Sequence, residues 1–234
     1  MAKTERELVA DELDVLRRLV TLDHARLIEL GSGKAEMARR LLESAAVESV
    51  TALEVDEVQL QQNISDPRLA RIEFVEAGAE AIPRPDRSYD VAMMLKSLHH
   101  VPLDRLDDAL AEIRRVLRPG GYLYVSEPVY AGDFNDIVRL FHDEKVVREA
   151  AYAALVRAVD AGVFESMPET TFDTPLFFRD FDDFVAKVVN VTHSQLALEG
   201  DTLAEVRRRF DRLMTPAGAR FVRAMRVNVL RRPH

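Results

Sequence analysis
Apolar positions along this chain switch repeatedly between short continuous runs and spacings of three and four, the signature of buried strands alternating with amphipathic helices. Apolar runs near residues 26–30, 49–54, 72–75, 89–95 and 121–126 predict five strands. Helical spacing near 34–44, 56–62 and 104–117 predicts the helices between them. Such alternation implies right-handed crossovers and a mainly parallel sheet covered on both faces. Ahead of it, Leu8, Leu13, Leu16, Leu19 and Val20 lie on one helical stripe from Thr4 to Val20. Thr4 and Glu7 form its capping box, and this helix is expected to close over a ligand pocket. Pro119-Gly120-Gly121 is expected to end the helix before the fifth strand.

After Glu127-Pro128 the alternation stops. Residues 133–162 read as one or two helices with Phe134, Ile137, Val138, Phe141, Val146, Val147, Ala150 and Ala154 on an apolar stripe. Placed after strand five, they would sit over the C-terminal edge of the sheet, where open parallel sheets bind ligands, and so form a substrate lid. Residues 167–175 read as a turn-rich connection, 181–189 and 202–213 as helices, and 191–196 as a sixth strand. Phe221, Met225, Val227 and Val229 alternate as a final strand inserted antiparallel at the sheet edge, with a helical turn at Thr215-Pro216 a competing cue before it. No repeat or linker divides the chain, so a single domain is expected: helix 1–24, ligand-binding core 25–130, lid 131–190 and sheet completion 191–234.

The most informative run is Leu27-Ile28-Glu29-Leu30-Gly31-Ser32-Gly33-Lys34-Ala35, followed about twenty residues on by Val50-Thr51-Ala52-Leu53-Glu54. A buried strand ends in a glycine turn, a helix follows, and the next strand delivers a carboxylate to the same edge. Gly31 and Gly33 permit a tight turn and close approach of a ligand, and Glu54 can accept from a ribose diol, so an adenosine compound is expected. A dinucleotide would need a third Gly where Glu36 stands, and that carboxylate would repel a pyrophosphate. NAD chemistry is therefore disfavoured.

Glu29, Gly31 and Gly33, with Ala35 in place of a third glycine, resemble the first landmark of class I S-adenosylmethionine-dependent methyltransferases. Ala79-Glu80-Ala81-Ile82-Pro83, Asp86-Arg87-Ser88-Tyr89-Asp90-Val91, Leu98-His99-His100-Val101 and Arg115-Val116-Leu117-Arg118-Pro119-Gly120-Gly121 continue the resemblance in order. The likeness covers roughly residues 15–130 and is strongest to the small-molecule branch that includes the ubiquinone and menaquinone biosynthesis enzymes. It implies a Rossmann-like α/β fold with a mainly parallel seven-stranded sheet, helices on both faces and a helical lid inserted after the fifth strand. The implied cofactor is S-adenosylmethionine, with S-adenosylhomocysteine as product and a small-molecule acceptor whose O, N or C nucleophile stays open. Gly31, Ser32 and Gly33 would form the floor under methionine and ribose, Glu29 would lie near the methionine amino group, and Glu54 with Val55 would lie on the ribose side. Many relatives carry Asp where this chain has Gly78. Adenine recognition then falls to backbone groups around Gly78, Ala79 and Glu80, or to the Glu80 side chain. A non-catalytic cofactor-binding relative acting as partner or scaffold is the alternative function.

Composition narrows the field. With 234 residues, a substantial core is affordable, and no apolar run reaches membrane-span length, so a cytoplasmic protein without membrane insertion is expected. Cysteine is absent, which removes disulfides and thiolate metal sites. A net charge of -8 disfavours a nucleic-acid partner. Monomer and homodimer both stay open. Arginines 207, 208, 209, 212, 220, 223, 226, 231 and 232 form either an anion patch or, more ordinarily, a face paired with acids of the same protein.

Catalytic candidates are few. Lys96 ends an apolar strand and either reaches solvent or faces a ligand carboxylate, with Ser97 beside it in the cofactor set. His99 is a candidate at the same edge, whereas His100 reads as structural. Tyr130 and His142 could touch substrate. His142-Asp143-Glu144 does not suit a metal, because adjacent helical residues point apart, and no metal is expected. Arg179 and His193 could bind an anion or simply form salt bridges.

Overall fold
The computed structural model describes residues 6–44, 47–189 and 198–234, which divide into two compact units. The first comprises Asp11–Glu127, Val147–Thr170 and Arg226–His234. It begins with α1 (Glu12–Leu19), then alternates β1 (Arg26–Leu30), α2 (Glu36–Ser44), β2 (Ser49–Glu54), α3 (Glu57–Ser65), β3 (Glu73–Glu76), β4 (Tyr89–Leu95), α4 (Leu106–Val116) and β5 (Leu117–Pro128). All four pairings among β1–β5 are parallel, in the order β3-β2-β1-β4-β5, so the C-terminal tips of five strands share one edge. The sequence reading of a Rossmann-like sheet holds here because near-continuous apolar strands can be buried only if both faces are covered.

Strand parity assigns the faces. Ile28, Leu30, Ala92, Met94, Leu123 and Val125 share a core with Leu110 and Ile113 of α4. The intervening Tyr124 instead reaches α1 through Glu12, so α1 lies on the opposite face. α6 (Lys145–Asp160) joins the first face from Val147 onward, burying Ala151, Ala154, Leu155 and Ala158 in the same core. Within the expected lid, α6 is therefore a sheet-covering helix, and alanines at three- and four-residue spacing let it approach closely.

Beyond β5 the sheet continues through β9 (Gly218–Arg231) to β6 (Glu165–Ser166), which pairs antiparallel with β9 at Glu165↔Arg231. The final strand is thus inside the order, not at its edge. β7 (Thr170–Phe178) and β8 (Met214–Thr215) also pair with β9, which brings the seven strands of the main order to nine.

The second unit holds residues up to Ala10, Pro128–Val146 and Thr171–Met225. It contains α5 (Asp133–Val138), most of β7, α7 (Phe181–Phe184) continued by a π turn to Val189, α8 (Gly200–Asp211), β8 and the first half of β9. Its core is aromatic: Phe134, Phe178, Phe181, Phe184, Phe210 and Phe221 are all buried, with Phe178 and Phe184 edge to face at 5.3 Å. Residues 7–9 run alongside β7, with Val9 N donating to Asp173 O at 2.8 Å.

Several local expectations are corrected. The first helix starts at Glu12, because Asp11 caps it through Leu13 N and is itself held by Arg40; Thr4 lies outside the described residues. Pro119-Gly120-Gly121 does not end a helix. α4 stops at Val116, and the tripeptide forms a bulge in β5, where the register jumps from Tyr89↔Leu117 to Val91↔Tyr122 and Gly120 takes φ +77°. The expected turn at 167–175 is largely β7, whose Phe172 and Phe178 supply buried aromatic anchors. Thr215-Pro216 starts a hairpin, with Thr215 Oγ1 donating to Gly218 O at 2.7 Å. The strand expected at 191–196, and His193 with it, falls outside the described residues.

Several of these arginines follow the ordinary reading. Arg208 and Arg209 share Glu205, Arg207 and Arg223 stack on Phe181 and Phe134, and Arg179 pairs with Asp183. Buried Arg232 donates to the carbonyls of Arg114 and Leu117, closing the C-terminal end of α4.

Candidate cofactor site
The tips of β1 and β2 build the site. Gly31 and Ser32 both donate their backbone N–H to Leu53 O, at 3.0 and 2.9 Å, which locks the turn after β1 onto β2. The turn uses left-handed backbone at Gly31 (φ +69°), Gly33 (+51°) and Ala35 (+51°). The two glycines have different reasons. A Cβ on Gly31 would lie 2.7 Å from the Ser97 Cβ, so Gly31 is demanded by packing, whereas a Cβ on Gly33 would meet open space. Ala35 fills the third position fully buried, at a left-handed cost of roughly 1–2 kcal/mol.

Glu54 is the hub of this edge. Its Oε2 accepts from Gly33 N at 2.7 Å, and its Oε1 accepts from Val55 N and Asp56 N at 2.9 and 3.0 Å. Two carboxylate oxygens offer about four acceptor sites, so room for a donor from a ligand remains. Val55 is exposed beside it. Asn63, which the sequence reading missed, donates from Nδ2 to Gly33 O at 2.7 Å, and Gln59 Nε2 in turn holds Asn63 at 2.9 Å. Its only sequence signal was two amides four apart on one helix.

Glu29 sits in β1 just before the turn, 3% exposed, and among the described residues its Oε2 has no hydrogen-bond partner; the buried Ser32 Oγ has none there either. Burial pushes the Glu29 carboxyl up to about 8; the Ala38 N–H and Lys96 pull it down, and Glu12 and Glu54 push it further up. Unsatisfied buried polar atoms at the mouth of a glycine turn are what a polar ligand would complete. The folded chain then holds this proton to about pH 8, while the unfolded chain releases it near 4.5, so stability falls as pH rises through that window and levels above it. Glu29→Gln, neutral throughout, is expected to melt more than about 3 °C above wild type at pH 8.5, with the gap shrinking toward pH 5 in thermal scans.

Lys96 leaves β4 with φ +58°, unusual for a long side chain, and its Nζ lies 3.2 Å from Glu12 Oε2. Glu12 also accepts from the Tyr124 hydroxyl at 3.5 Å. Of the two sequence alternatives for Lys96, the structure puts it half-exposed in this acidic cluster. Ser97 Oγ donates to Leu30 O at 2.7 Å, so its role is to join the β1 and β4 tips. Gly78, Ala79 and Glu80 follow β3, with Ala79 buried in the core.

His99 is 4% exposed, and its Nδ1 is hydrogen-bonded to Glu127 Oε2, while Glu127 Oε1 accepts from Leu98 N at 2.9 Å. Glu127 was missed as well, although a charge ending the apolar strand β5 is the same signal that drew attention to Lys96. His100 is exposed and packs its ring against His99 at 4.1 Å. Tyr130 and His142 belong to the second unit, where the Tyr130 hydroxyl donates to Asp143 and His142 Nε2 lies 2.9 Å from Glu144.

A parallel sheet whose first crossover turn is rich in glycine, with an acid at the next strand tip, defines a nucleotide-type Rossmann-like protein, and its donor set suits an adenosyl amino acid: a carboxylate for a diol, a buried unpaired acid for an ammonium, a lysine for a carboxylate. Residues 28–125 match the family described as Methyltransferase domain. The ubiquinone/menaquinone biosynthesis C-methyltransferase UbiE of Methylobacterium nodulans is 37% identical over 100 residues, 41% of this chain and 39% of that one. A fatty-acid O-methyltransferase of Mycolicibacterium smegmatis is 31% identical over 102 residues, 44% and 36% of the two chains. The chain thus spans about two fifths of the length of these relatives. Among solved structures, an S-adenosylmethionine-dependent methyltransferase from Aquifex aeolicus shares the fold at TM-score 0.56 and 14% identity, covering 94% of this chain and 89% of its own. The [4+2]-cyclase SpnF does so at TM-score 0.58 and 20% identity, covering 99% and 88%. Among the described residues no helix is long and apolar enough to cross a membrane.

Proposed function
We propose that the protein transfers a methyl group from S-adenosylmethionine to a small-molecule acceptor. The observation that carries this reading is the buried, unpartnered Oε2 of Glu29 beside Lys96, at the mouth of a turn anchored to Glu54. Bound there, S-adenosylmethionine supplies an electrophilic methyl group whose leaving group is a neutral thioether. The chain's own contribution is alignment and proton handling. Glu54 takes the ribose hydroxyls, Glu29 the α-ammonium and Lys96 the α-carboxylate. Alignment of this kind contributes up to about 7–11 kcal/mol in the best intramolecular cases. His99, oriented by Glu127 at Nδ1, is the candidate base for an acceptor that carries a proton at working pH. The relatives methylate carbon in one case and oxygen in another, so the acceptor atom is left open.

Calorimetric titration tests the reading. S-adenosylhomocysteine should bind, NAD should not, and transfer of labelled methyl to a metabolite extract should follow. Lys96→Met should weaken S-adenosylhomocysteine about tenfold or more, as loss of a charged hydrogen bond does, while leaving 5′-methylthioadenosine, which lacks the amino-acid group, unchanged. Equal losses for both ligands would remove Lys96 from the carboxylate site. A second reading is a cofactor-binding protein without methyl transfer, since a fold of this kind does not fix its chemistry. Saturable binding with no labelled product from any extract would select it.

A further inference from the structure
The edge around Glu29 holds more acid than base. Glu12 on α1, Glu29 on β1 and Glu54 at the tip of β2 are three carboxylates that act on one another, and against them stands Lys96, after β4. That cation is already engaged. Its Nζ lies 3.2 Å from Glu12 Oε2, and Tyr124 of β5 adds its hydroxyl to Glu12 at 3.5 Å. Glu54 is engaged as well, by the backbone N–H groups of Gly33, Val55 and Asp56. Glu29 receives the Ala38 N–H from α2, and among the described residues no donor reaches its Oε2.

A buried carboxylate with one donor and two like charges around it is costlier than the same group as a neutral acid. The empty site therefore keeps a proton on Glu29, in line with a carboxyl that burial pushes up to about 8. An ammonium placed against Oε2 reverses the balance. It supplies the missing donor, and at contact distance its positive charge outweighs the more distant Glu12 and Glu54. Proton and ammonium are then two cations competing for one buried oxygen.

Resting on the adenosyl reading of the site above, we infer that Glu29 is a proton-binding site emptied by the cofactor: entry of the α-ammonium breaks the Glu29 O–H bond, the proton leaves to solvent, and the ammonium keeps its own three. Binding is thus an exchange of cations, and departure of the ligand takes one proton up again. The thioether product carries the same ammonium as the sulfonium, so methyl transfer leaves the proton count at Glu29 unchanged, and the linkage falls on binding and release. The sign for affinity follows. Where the empty site is protonated the ligand must displace a proton, so binding strengthens as pH rises and levels off above about 8.

The test is calorimetry on the full chain with S-adenosylhomocysteine at pH 7, repeated in buffers that differ in ionisation enthalpy, where the slope of the observed heat counts protons. Wild type should release about 0.9 proton per ligand, the fraction held by an acid that titrates at about 8. The deamino counterpart, with hydrogen in place of the ammonium, should release none, and Glu29→Gln should bind S-adenosylhomocysteine without release. Between pH 6 and 7 the wild-type dissociation constant should fall about tenfold, while that of Glu29→Gln stays within about twofold. The deamino comparison uses wild type alone, so it decides the matter even where Glu29→Gln fails to fold. No release by wild type, or equal release with the deamino ligand, overturns the inference while the adenosyl reading survives. Full release by Glu29→Gln places the proton on another group and overturns it too. Failure of wild type to bind S-adenosylhomocysteine overturns the adenosyl reading itself, and the inference falls with it.

Discussion

His99→Ala is expected to lower kcat by about 10²–10⁴-fold with an acceptor that must lose a proton, the usual contribution of a positioned general base. His99 is buried at the β4 tip, in the turn directly after Lys96 and Ser97, and its Nδ1 is tied to buried Glu127. A carboxylate on one ring nitrogen fixes the tautomer and the orientation of the ring. Glu127 is in turn held by Leu98 N at 2.9 Å, so the pair is rigid. Glu127→Gln should therefore reduce kcat, since the imidazole loses the carboxylate that orients it, while affinity for S-adenosylhomocysteine stays at the wild-type level. Steady-state kinetics between pH 5 and 9, with melting curves to verify folding, provide the measurement. A His99→Ala enzyme with unaltered kcat would mean that the acceptor arrives ionised and that the pair is structural.

Glu54→Ala should cost about 1.5–3 kcal/mol for each ribose hydrogen bond lost, so that two such bonds lower affinity for S-adenosylhomocysteine by roughly 10²–10⁴-fold. The effect has a second source. Glu54 receives the backbone N–H groups of Gly33, Val55 and Asp56, and without it the turn loses the anchor that preshapes it. Glu54→Gln separates the two contributions: the amide keeps one acceptor oxygen but must turn a donor toward a backbone N–H. Its affinity should fall between wild type and Glu54→Ala in the same titration. Wild-type affinity in both variants would displace Glu54 from the ribose.

Legibility varied with how local the cause was. The tips at Glu29, Gly31 and Glu54 could be read because each follows a continuous apolar strand, and a glycine or an acid after such a strand has few other uses. The ends of elements were less legible. Pro119-Gly120-Gly121 looks like a helix stop by itself, but pairing with β4 draws it into a strand as a bulge. α6 has an amphipathic pattern compatible with a lid or with a covering helix, and only packing against the same core as Ile113 decides for the latter.

The sequence alone determined the alternation of strands and helices, the parallel sheet and the side-chain-poor turn with its two acids, because each depends on neighbours within one or two turns of chain. The tertiary structure alone decided that Glu12 reaches Lys96, that Glu127 orients His99, that Ser97 is the reason for Gly31, and that the Glu80 carboxylate lies over Gly78. Except for the last, these contacts join segments 28 to 84 residues apart or meet across strand tips, where periodicity carries no information. Glu80 and Gly78 are near neighbours, yet their contact depends on a loop pinned by Glu112 and Arg115 thirty residues away. Burial then sets the chemistry, since the same glutamate is an ordinary anion in an open chain and an unpaired acid inside the fold.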